Sequence, residues 1–527
     1  MNQWWKNTVF YEIYIRSFCD TGQNGKSGIR GITSKLPYLK ELGVGGIWLT
    51  PFYPFNKSTS YHKYDVVDYY TVDPQYGTME DFEEMVKAAH KHGIRVIIDM
   101  VLNHTSTRHP WFIKSAASKD SSERDWYIWK DPVNGGEPNN WESFFGGSAW
   151  EYVEYGDSGQ YYYHSFAKEQ ADLNWQNPSV EEAIYQVLDF WLLKGVDGFR
   201  FDVINNLSVS GSLADNPVTG NGEQLHENDI NQPGVQAVIK RMAGRIREKK
   251  PDAFLVGEIS SDDLTRIHSY TGGGSLDTTF NFNLGSREIF QIDEIYEELK
   301  RMQELYGDSE YPTLFFGSHD MRRFPDRFGF TEGKTKCLLA LMLSCRGIPF
   351  LYFGDEIGMK SRILNSVDDA KDVQGILAYE AALKEGKSRE EAVRILNERS
   401  RDASRNPMDW DEAEKQREDP SSIWNFVRSF IELRKRTAAL TEGTMELRRL
   451  ENGLIEIERA LGMDRVRIMI NFSNCGVTVP GEGGWRILYA SDSVPDSGSR
   501  EKNGKDCVKS GMVQMLVPGG SCVILEI

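Results

Sequence analysis

The stretch of residues 195–203, GVDGFRFDV, places charged side chains inside an otherwise apolar run. Its composition predicts a strand that is buried on both faces. Side chains two residues apart in a strand point the same way, so Arg200 and Asp202 would share one face. A buried ion pair is costly unless it is well compensated, and often even then. The pair is therefore either a structural ion pair in a core or a catalytic carboxylate that an arginine holds ionised.

Three more apolar runs lead into polar side chains that could join such a site. They are residues 94–102, IRVIIDMVL, residues 253–258, AFLVGE, and residues 313–317, TLFFG. The polar residues at their ends are, in chain order, Asp99, Asn103, His104, Glu258, Ser318, His319 and Asp320. Each one alone could be structural, as a core histidine with satisfied hydrogen bonds or a carboxylate at a helix start. Four coincident run ends favour one shared site instead.

A site with several carboxylates and no cluster of metal ligands suits glycoside hydrolysis. In that reaction one carboxylate attacks the anomeric carbon, and a second protonates the leaving oxygen and later deprotonates water. Asp202 is favoured as the nucleophile because Arg200 would keep it ionised. Glu258 is favoured as the acid because it follows an apolar run on a different strand from the arginine, where a drier environment would hold its proton.

The elements that must position these residues alternate along the chain. Amphipathic stretches such as residues 79–93 predict helices, and Ser179 with Glu182 predicts a capping box before the fourth strand. The predicted strands are residues 9–15, 44–49, 94–102, 195–203, 253–258, 276–282, 313–317 and 348–353. This alternation predicts an α/β fold, a (β/α)8 TIM barrel, in which the chemistry lies at the C-terminal ends of the strands.

Two regions interrupt this alternation. Residues 104–171 are rich in Trp, Tyr, Gly, Asn and Pro without a clear period, which is typical of a functional insertion after the third strand. From residue 443 the sequence turns to short alternating strands. We therefore predict a catalytic barrel over residues 1–103 and 172–442, an inserted domain over 104–171, and a C-terminal all-β sandwich domain over 443–527.

The composition limits the classes of partner that the protein is expected to bind. Across 527 residues the formal net charge is −17, which argues against nucleic acid or an anionic membrane surface as a partner. The six cysteines form no CxxC and no zinc spacing, so we expect free thiols, no metal and no cofactor. The first residues lack the pattern of a secretory signal, and no apolar run reaches 18 residues. We expect a cytoplasmic protein that acts on a small substrate.

Several stretches closely resemble the signature regions of glycoside hydrolase family 13, the α-amylase family. They are DMVLNH at 99–104, ADLNW at 171–175, GFRFDV at 198–203, VGEI at 256–259, GSHD at 317–320 and GDEIGM at 354–359. The resemblance covers nearly the whole chain. It implies Asp202 as nucleophile, Glu258 as acid/base and Asp320 as a stabiliser of the transition state. The residues it implies as contacts to the sugar or to the carboxylates are His104, Arg200 and His319.

Within that family the chain resembles the exo-acting subgroup of oligo-1,6-glucosidase, α-glucosidase and trehalose-6-phosphate hydrolase. The similar stretches include KYDVVDYYTVDPQYGTMEDF, NHTSTRHPWF and SRNPMDW. The resemblance implies that Tyr64 and Asp65 line the pocket for the terminal glucose, with Asp65 bonding its hydroxyls and so enforcing exo action. It implies further pocket residues in Arg323 and Arg405. Val203, directly after the nucleophile, resembles members that accept α-1,6 bonds.

Departures from the subgroup bear on metal binding and on the leaving group. Residues 20–28, DTGQNGKSG, replace a calcium loop and carry Asn24 and Gly28 where acids are usual, so we expect no calcium there. Ser318 and Arg322 in GSHDMRR replace the usual asparagine and proline. The segment FNFNLGSREIFQIDEIYEEL lacks the basic stretch that phosphotrehalases share, although QADLNW resembles them. A phosphorylated substrate remains an alternative, because a phosphate needs cationic partners and Lys63 and the Arg322–Arg323 pair could provide them.

The sequence thus predicts a retaining exo-acting α-glucosidase. It would hydrolyse terminal α-linked glucose from short oligosaccharides, including α-1,6 bonds, through a covalent intermediate on Asp202. The alternatives are a trehalose-6-phosphate hydrolase and a sucrose-active hydrolase, isomerase or transglycosylase with the same intermediate. A non-catalytic sugar-binding relative is disfavoured, because such relatives usually lack part of the triad and all three acids are present here.

Overall fold

Eight parallel strands form the central sheet of this computed structural model, which describes residues 3–19, 28–57, 63–155, 158–450, 453–481, 486–491 and 513–526. They are β1 (Phe10–Ile13), β2 (Gly46–Leu49), β3 (Arg95–Val101), β4 (Gly198–Asp202), β5 (Phe254–Glu258), β6 (Thr278–Phe280), β7 (Thr313–Leu314) and β8 (Ile348–Tyr352). Neighbours follow the order β6-β5-β4-β3-β2-β1-β8-β7. Thr313 links the two ends, since its Oγ1 donates to the Thr279 carbonyl at 3.0 Å and accepts from the Asn281 N–H at 3.3 Å. The predicted barrel is confirmed.

Helices separate the strands along the chain. The α-helices are Ile15–Phe18, Gly28–Leu42, Met79–Lys91, Pro110–Ala116, Pro178–Leu193, Val235–Lys249, Leu264–His268, Phe282–Gly285, Ile292–Tyr306, Phe324–Arg327, Glu332–Ser344, Val373–Lys384, Arg389–Arg399, Trp410–Glu418, Ile423–Arg436 and Ala438–Thr441. The 3-10 helices are Trp4–Asn7, Arg124–Trp126, Ile204–Asn206, Asp355–Ile357, Val367–Asp369 and Arg401–Ser404. The helix that the amphipathic pattern of residues 79–93 predicts is present at Met79–Lys91. A capping box of Thr78 and Asp81 starts it.

One predicted helix start is wrong. The helix before β4 begins at Pro178, and its N-cap is Asn177, whose side chain accepts from the Ser179 N–H at 2.9 Å. Proline suits the first helical position because its missing N–H would have no intrahelical partner there. The Asn-Pro pair therefore sets the start, and the predicted capping box of Ser179 and Glu182 does not form.

An apolar layer fills the barrel interior beneath its C-terminal mouth. Phe10 stacks on Phe350 with ring centroids 4.8 Å apart. The same cluster also includes Trp48, Ile97, Phe254, Val256, Phe280 and Ile348. Side chains two positions further along a strand point the same way. Glu12, Asp99 and Glu258 occupy those positions on β1, β3 and β5, so the polar mouth rests on a packed apolar floor.

The region after β3 forms two small antiparallel sheets. His104–Ser106 pairs with Gln170–Asp172, which brings the two ends of the region together. Ser158–Tyr163 pairs with Trp129–Lys130 and with Trp150–Tyr155. The limits 104–171 of a separate inserted domain remain a prediction.

Antiparallel sheets also follow the barrel. A five-stranded sheet has the order Thr444–Leu450, Leu454–Leu461, Asp464–Asn471, Ser521–Glu526 and Arg486–Ala490, and Val477–Gly481 pairs with Val513–Val517. These strands confirm the predicted all-β character of the C-terminal region. The start of a separate domain at residue 443 and its packing as a sandwich remain predictions.

Across the described ranges, no helix combines the length and apolar character that a bilayer crossing requires. No disulfide joins any two of the described cysteines, namely Cys19, Cys337, Cys345, Cys475 and Cys522, and Cys507 lies outside the described residues. Residues 20–27, which hold most of the loop expected to lack calcium, also lie outside them. Within the part of the chain that is described, no three His, Cys, Asp or Glu side chains gather as a metal site.

Candidate active site

Arg200 lies at the centre of the polar barrel mouth. Its Nη1 donates to Asp99 Oδ1 at 2.7 Å and to Asp202 Oδ1 at 2.6 Å, and its Nη2 donates to Glu258 Oε2. Strand register explains this convergence, because Asp99 on β3 lies directly opposite Arg200 on β4. The guanidinium is only 1% exposed. Three carboxylates from three adjacent strands thus share one buried cation, as the sequence predicts for Arg200 and Asp202.

Asp202 and Glu258, the two carboxylates that would do chemistry, differ in pKa. Burial raises the pKa of Asp202 to about 6, although Arg200 opposes the shift. Burial also raises the pKa of Glu258 to about 7, with a further contribution from the charge of Asp202. Near neutral pH, Asp202 is therefore mostly ionised while Glu258 retains a large protonated fraction. An ionised carboxylate beside a protonated one is the arrangement that a retaining glycosidase needs.

Asp320 lies on the opposite side of the mouth, after β7, and stays ionised. Arg405 Nη2 donates to its Oδ1 at 2.8 Å, and Arg401 Nη1 lies 3.6 Å from the same oxygen. Burial disfavours ionisation of Asp320, but His319, Arg401 and Arg405 outweigh burial and hold its pKa well below its usual range. The side chain remains 29% exposed. A permanent anion that is open to the mouth can stabilise positive charge as it develops on a sugar.

Tyr64 connects the two sides of the mouth. Its hydroxyl donates to Asp99 Oδ2 at 3.0 Å and lies 2.7 Å from His319 Nε2. Its ring lies parallel to that of His319, with an interplanar angle of 4° and centroids 5.8 Å apart. The structure thus brings Tyr64 and His319 together at the predicted site.

His104 and Asp65 form the wall next to Tyr64. His104 Nε2 lies 3.1 Å from the Tyr64 carbonyl and 2.8 Å from Gln170 Nε2. Burial lowers the pKa of His104 to about 4, so its imidazole is neutral at physiological pH. The Oδ2 atom of the buried Asp65 accepts from the Asn56 N–H at 3.0 Å. These contacts hold both side chains beside the mouth without adding a cation to it.

Arg323 does not occupy the pocket position that the resemblance implies. It is fully buried, and its Nη1 and Nη2 donate to the carbonyls of Phe353 and Ser404 at 2.7 and 3.2 Å. The guanidinium therefore ties the end of β8 to the loop that carries Arg405. The predicted contact with substrate is replaced by a structural role.

Val203 has a strained backbone and ends the fourth strand one residue early. Its φ is +35°, in the left-handed region, so β4 ends at Asp202 and not at Val203 as predicted. A β-branched residue rarely adopts this conformation, which is costly unless neighbours hold it. The Val203 N–H donates to Glu258 Oε2 at 3.3 Å. The turn therefore aims one backbone donor at the candidate acid directly after the candidate nucleophile.

Two polar residues of the site were missed from the sequence. Glu12 in the run FYEI of β1 contacts His319, and its position inside an apolar strand is a signal that could have identified it. Arg401 faces both Asp320 and Asp372, and nothing in its local sequence distinguishes it from a surface arginine.

Comparisons with known proteins agree with this geometry. The family described as Alpha amylase, catalytic domain, matches residues 12–443. The chain is 35% identical over 517 residues to an oligo-1,6-glucosidase of Parageobacillus thermoglucosidasius, covering 89% of this chain and 90% of that protein. It is 36% identical over 487 residues to a trehalose-6-phosphate hydrolase of Bacillus subtilis (strain 168), covering 84% and 85%. The solved isomaltulose synthase of Protaminobacter rubrum matches with a TM-score of 0.89 at 29% identity, covering 100% of this chain and 99% of that one.

Proposed function

This chain belongs to the α-amylase family of glycoside hydrolases, and on that premise we propose that it is a retaining, exo-acting α-glucosidase. Its substrates would be short oligosaccharides with a terminal α-linked glucose, including α-1,6 bonds of the isomaltose type. The observation that carries the proposal is the shared guanidinium of Arg200, which joins Asp202 with a pKa of about 6 and Glu258 with a pKa of about 7.

The first step of the proposed reaction uses both protonation states. Ionised Asp202 attacks the anomeric carbon while Glu258 gives its proton to the glycosidic oxygen. The bond to the leaving sugar breaks as the bond to Asp202 forms, which yields a β-glucosyl ester and a free alcohol. Asp320 stays ionised and would stabilise the positive charge that develops on the sugar ring.

The second step returns the enzyme to its starting state. The Glu258 carboxylate takes a proton from water as the water oxygen attacks the anomeric carbon from the face that the leaving sugar occupied, and the bond between that carbon and Asp202 breaks. Two inversions give α-glucose with net retention. Arg200 would favour the ionised form of Asp202, which makes Asp202 a nucleophile in the first step and a stable leaving group in the second. It also gives three buried carboxylates a cationic partner.

Exo action would depend on the wall formed by Tyr64, Asp65, His104 and Gln170. Asp65 and His104 are each 1% exposed, and both are held by hydrogen bonds next to Tyr64. A closed wall of fixed polar groups favours a single terminal sugar over an extended chain. Val203 and Arg405 are further proposed contacts, Val203 through its place next to the nucleophile and Arg405 through its bond to Asp320.

The charges near the leaving-group side support a neutral substrate over a phosphorylated one. Arg322 Nη2 lies 2.8 Å from Glu288 Oε2, so an acidic partner already neutralises it. Arg323 is fully buried and donates to backbone carbonyls, which disfavours a contact with a phosphate. Trehalose-6-phosphate hydrolase and sucrose isomerase activities remain the competing proposals, since relatives carry those names or closely related ones.

One substrate panel separates these proposals. The purified chain would be incubated at neutral pH with isomaltose, maltose, sucrose, trehalose and trehalose 6-phosphate, with Asp202→Asn as the inactive control. We expect glucose release from isomaltose, and proton NMR should show α-glucose before mutarotation. Turnover of trehalose 6-phosphate alone would replace the proposal with the phosphotrehalase. Isomeric disaccharides from sucrose with little free glucose would replace it with the isomerase. The reducing-end glucose of isomaltose leaves as both anomers, so an early excess of β-glucose over the equilibrium mixture would exclude retention.

The remaining partner and compartment proposals rest on composition. The relatives are named as enzymes of small sugars, and a net charge of −17 disfavours nucleic acid and anionic membranes as partners. No disulfide joins the five described cysteines to one another, which fits a reducing compartment, so we propose a cytoplasmic location.

A further inference from the structure

Glu12 is a buried carboxylate beneath the catalytic mouth, and the proposed reaction does not use it. It lies on β1 and is 2% exposed. Its Oε1 lies 2.5 Å from His319 Nδ1 and accepts from the His319 backbone N–H at 3.3 Å. A carboxylate removed from water is costly unless charged or hydrogen-bonding partners compensate it. His319, which lies after β7 and 307 residues away in the chain, provides both contacts.

The hydrogen bonds around His319 determine where its protons lie. The Tyr64 hydroxyl has one proton, which it donates to Asp99 Oδ2 at 3.0 Å. With that proton on the side of Asp99, its oxygen is left to accept from His319 Nε2, which lies 2.7 Å away. The other ring nitrogen, Nδ1, faces the Glu12 carboxylate, which can only accept. An imidazole with two donor nitrogens is an imidazolium, so this hydrogen-bond pattern fits a cation at His319.

The other groups around His319 fit this charge. Asp320 Oδ2 lies 3.2 Å from Nε2, and Arg405 Nε donates to the His319 carbonyl at 2.8 Å. Ser404 Oγ donates to the same carbonyl at 3.2 Å, Asp99 is a further titratable neighbour, and the rings of Tyr14, Trp48 and Tyr64 have centroids within 6.1 Å. Burial lowers the pKa of His319, but Asp320 and Glu12 outweigh burial and Arg405 and raise it. Asp355 and Tyr352 are the other titratable groups near Glu12, and burial raises the pKa of both.

We propose that Glu12 is a positioning residue of this glycosidase, because its carboxylate fixes His319 as an imidazolium that donates from Nε2 toward Tyr64 and Asp320. Glu12 touches no substrate and acts through His319. A neutral His319 would keep one proton, and a hydrogen-bond acceptor at position 12 would draw it to Nδ1. Nε2 would then have no proton to donate to Tyr64, and Asp320 would lose a cationic neighbour. This inference deepens the proposed function, since it assumes that Asp320 and the Tyr64 wall serve the reaction.

The test compares Glu12→Gln with wild type across pH on the substrate that wild type hydrolyses best. Glutamine keeps the shape and an acceptor oxygen but removes the charge, so His319 would lose its proton within the working range. We expect kcat/KM of the variant to fall about tenfold at about pH 7.5 and by less than about threefold at about pH 5.5, since each unit of pH changes a protonated fraction tenfold. Glu12→Asp keeps the charge and should retain more activity than Glu12→Gln at about pH 7.5.

A matched control is Glu356→Gln, which removes another buried carboxylate of the barrel. Glu356 Oε1 accepts from the hydroxyls of Tyr11 and Tyr38 at 2.8 and 2.7 Å, away from the mouth. Its pH profile should follow wild type. If Glu12→Gln loses the same factor at both pH values, or none, Glu12 only fills space and the proposal is wrong.

A direct measurement covers the case in which Glu12→Gln does not fold. Wild-type protein labelled with 15N-histidine contains nine histidines, and the signals of His319 can be assigned through His319→Gln. We expect both ring nitrogens of His319 to carry protons at about pH 7.5. A neutral imidazole in that spectrum would overturn the proposal. The spectrum needs no turnover, so a failure of the proposed substrate class would be seen separately, as absence of glucose release by wild type.

Discussion

Asp197 and Asp202 lie at the two ends of the same barrel strand and show opposite electrostatics. Asp197 precedes β4 at the N-terminal face, and Asp202 ends β4 at the C-terminal face. Asp197 has several donors, namely Arg95 Nη1 and His90 Nε2 each at 2.7 Å, Lys250 Nζ at 3.3 Å and the Val96 N–H at 2.9 Å. Two of them, Arg95 and Lys250, also pair with the partly exposed Asp252. Asp202 instead shares Arg200 with two other carboxylates.

The pKa values follow this difference in partners. Burial disfavours ionisation at both positions. At Asp197, hydrogen bonds from His90, Val96 and Arg95 outweigh burial and lower the pKa below its usual value. At Asp202, burial outweighs Arg200 and raises the pKa to about 6. At the N-terminal face, the buried carboxylate thus has enough donors to stay ionised. At the C-terminal face, three carboxylates share one arginine, as expected where binding and chemistry take place.

The largest expected effect is on activity. Asp202→Asn should lower kcat by about 10⁴-fold or more, because an amide cannot form the covalent intermediate. Asp197→Asn removes an equally buried carboxylate from the same strand and should change kcat by less than about tenfold. Steady-state rates on the best substrate measure both. Comparable losses in the two variants would contradict the division of the strand into a chemical and a structural end.

Stability should show the reverse order. Asp197→Asn removes the buried anion that Arg95 and Lys250 share and leaves them the partly exposed Asp252. We expect a loss of about 2–3 kcal/mol in the free energy of unfolding at neutral pH, because those partners are partly exposed and screened. Asp202→Asn relieves a crowded set of carboxylates and should cost little or increase stability. Denaturant titration of both variants gives the comparison.

The difference in stability between Asp197→Asn and Asp202→Asn should shrink as pH falls. The pKa of Asp197 is lower in the folded state, so its stabilisation is present above its unfolded value and is lost as pH falls through the folded value. The pKa of Asp202 is higher in the folded state, so its charge opposes folding at neutral pH, and the penalty vanishes as pH falls from about 6 through its unfolded value. A stability gap between the two variants that widens on acidification would contradict this assignment.

Activity should have a narrow bell-shaped dependence on pH. The acidic limb reports protonation of the Asp202 cluster near its pKa of about 6, and the alkaline limb reports loss of the Glu258 proton near about 7. Glu258→Gln should lower kcat/KM by about 10²–10⁴-fold and remove the alkaline limb. Rates of wild type and variant from about pH 4.5 to 9 test this prediction, which fails if the variant retains the wild-type alkaline limb.

The smallest expected effect is at His90. His90→Gln weakens one of the bonds to Asp197 and leaves Arg95 and Lys250 in place, so the free energy of unfolding should fall by about 1 kcal/mol. Activity should match wild type. A loss as large as that of Asp197→Asn would mean that His90 alone compensates the buried charge.

Much of the fold and the chemical residues could be predicted because both have local signals. Short apolar runs mark the strands, and polar residues that directly follow them mark the mouth, since the carboxyl ends of parallel strands meet at one rim. This reasoning leads to Asp202, Glu258 and Asp320 as the proposed catalytic residues. Arg323 was misplaced because its position after Asp320 suggested the pocket, whereas the nearby backbone carbonyls of Phe353 and Ser404 hold its guanidinium inside.

By itself, the sequence determined which residues end the strands and which face of each strand they share, because the two-residue period of a strand is a property of the local backbone. Only the tertiary structure decided which charges share a partner. Arg200 serves three carboxylates because register sets β3 and β5 on either side of β4, and Glu12 meets His319 because the barrel brings together residues 307 positions apart. Burial and partner count set the protonation of a carboxylate, and both are properties of the assembled barrel.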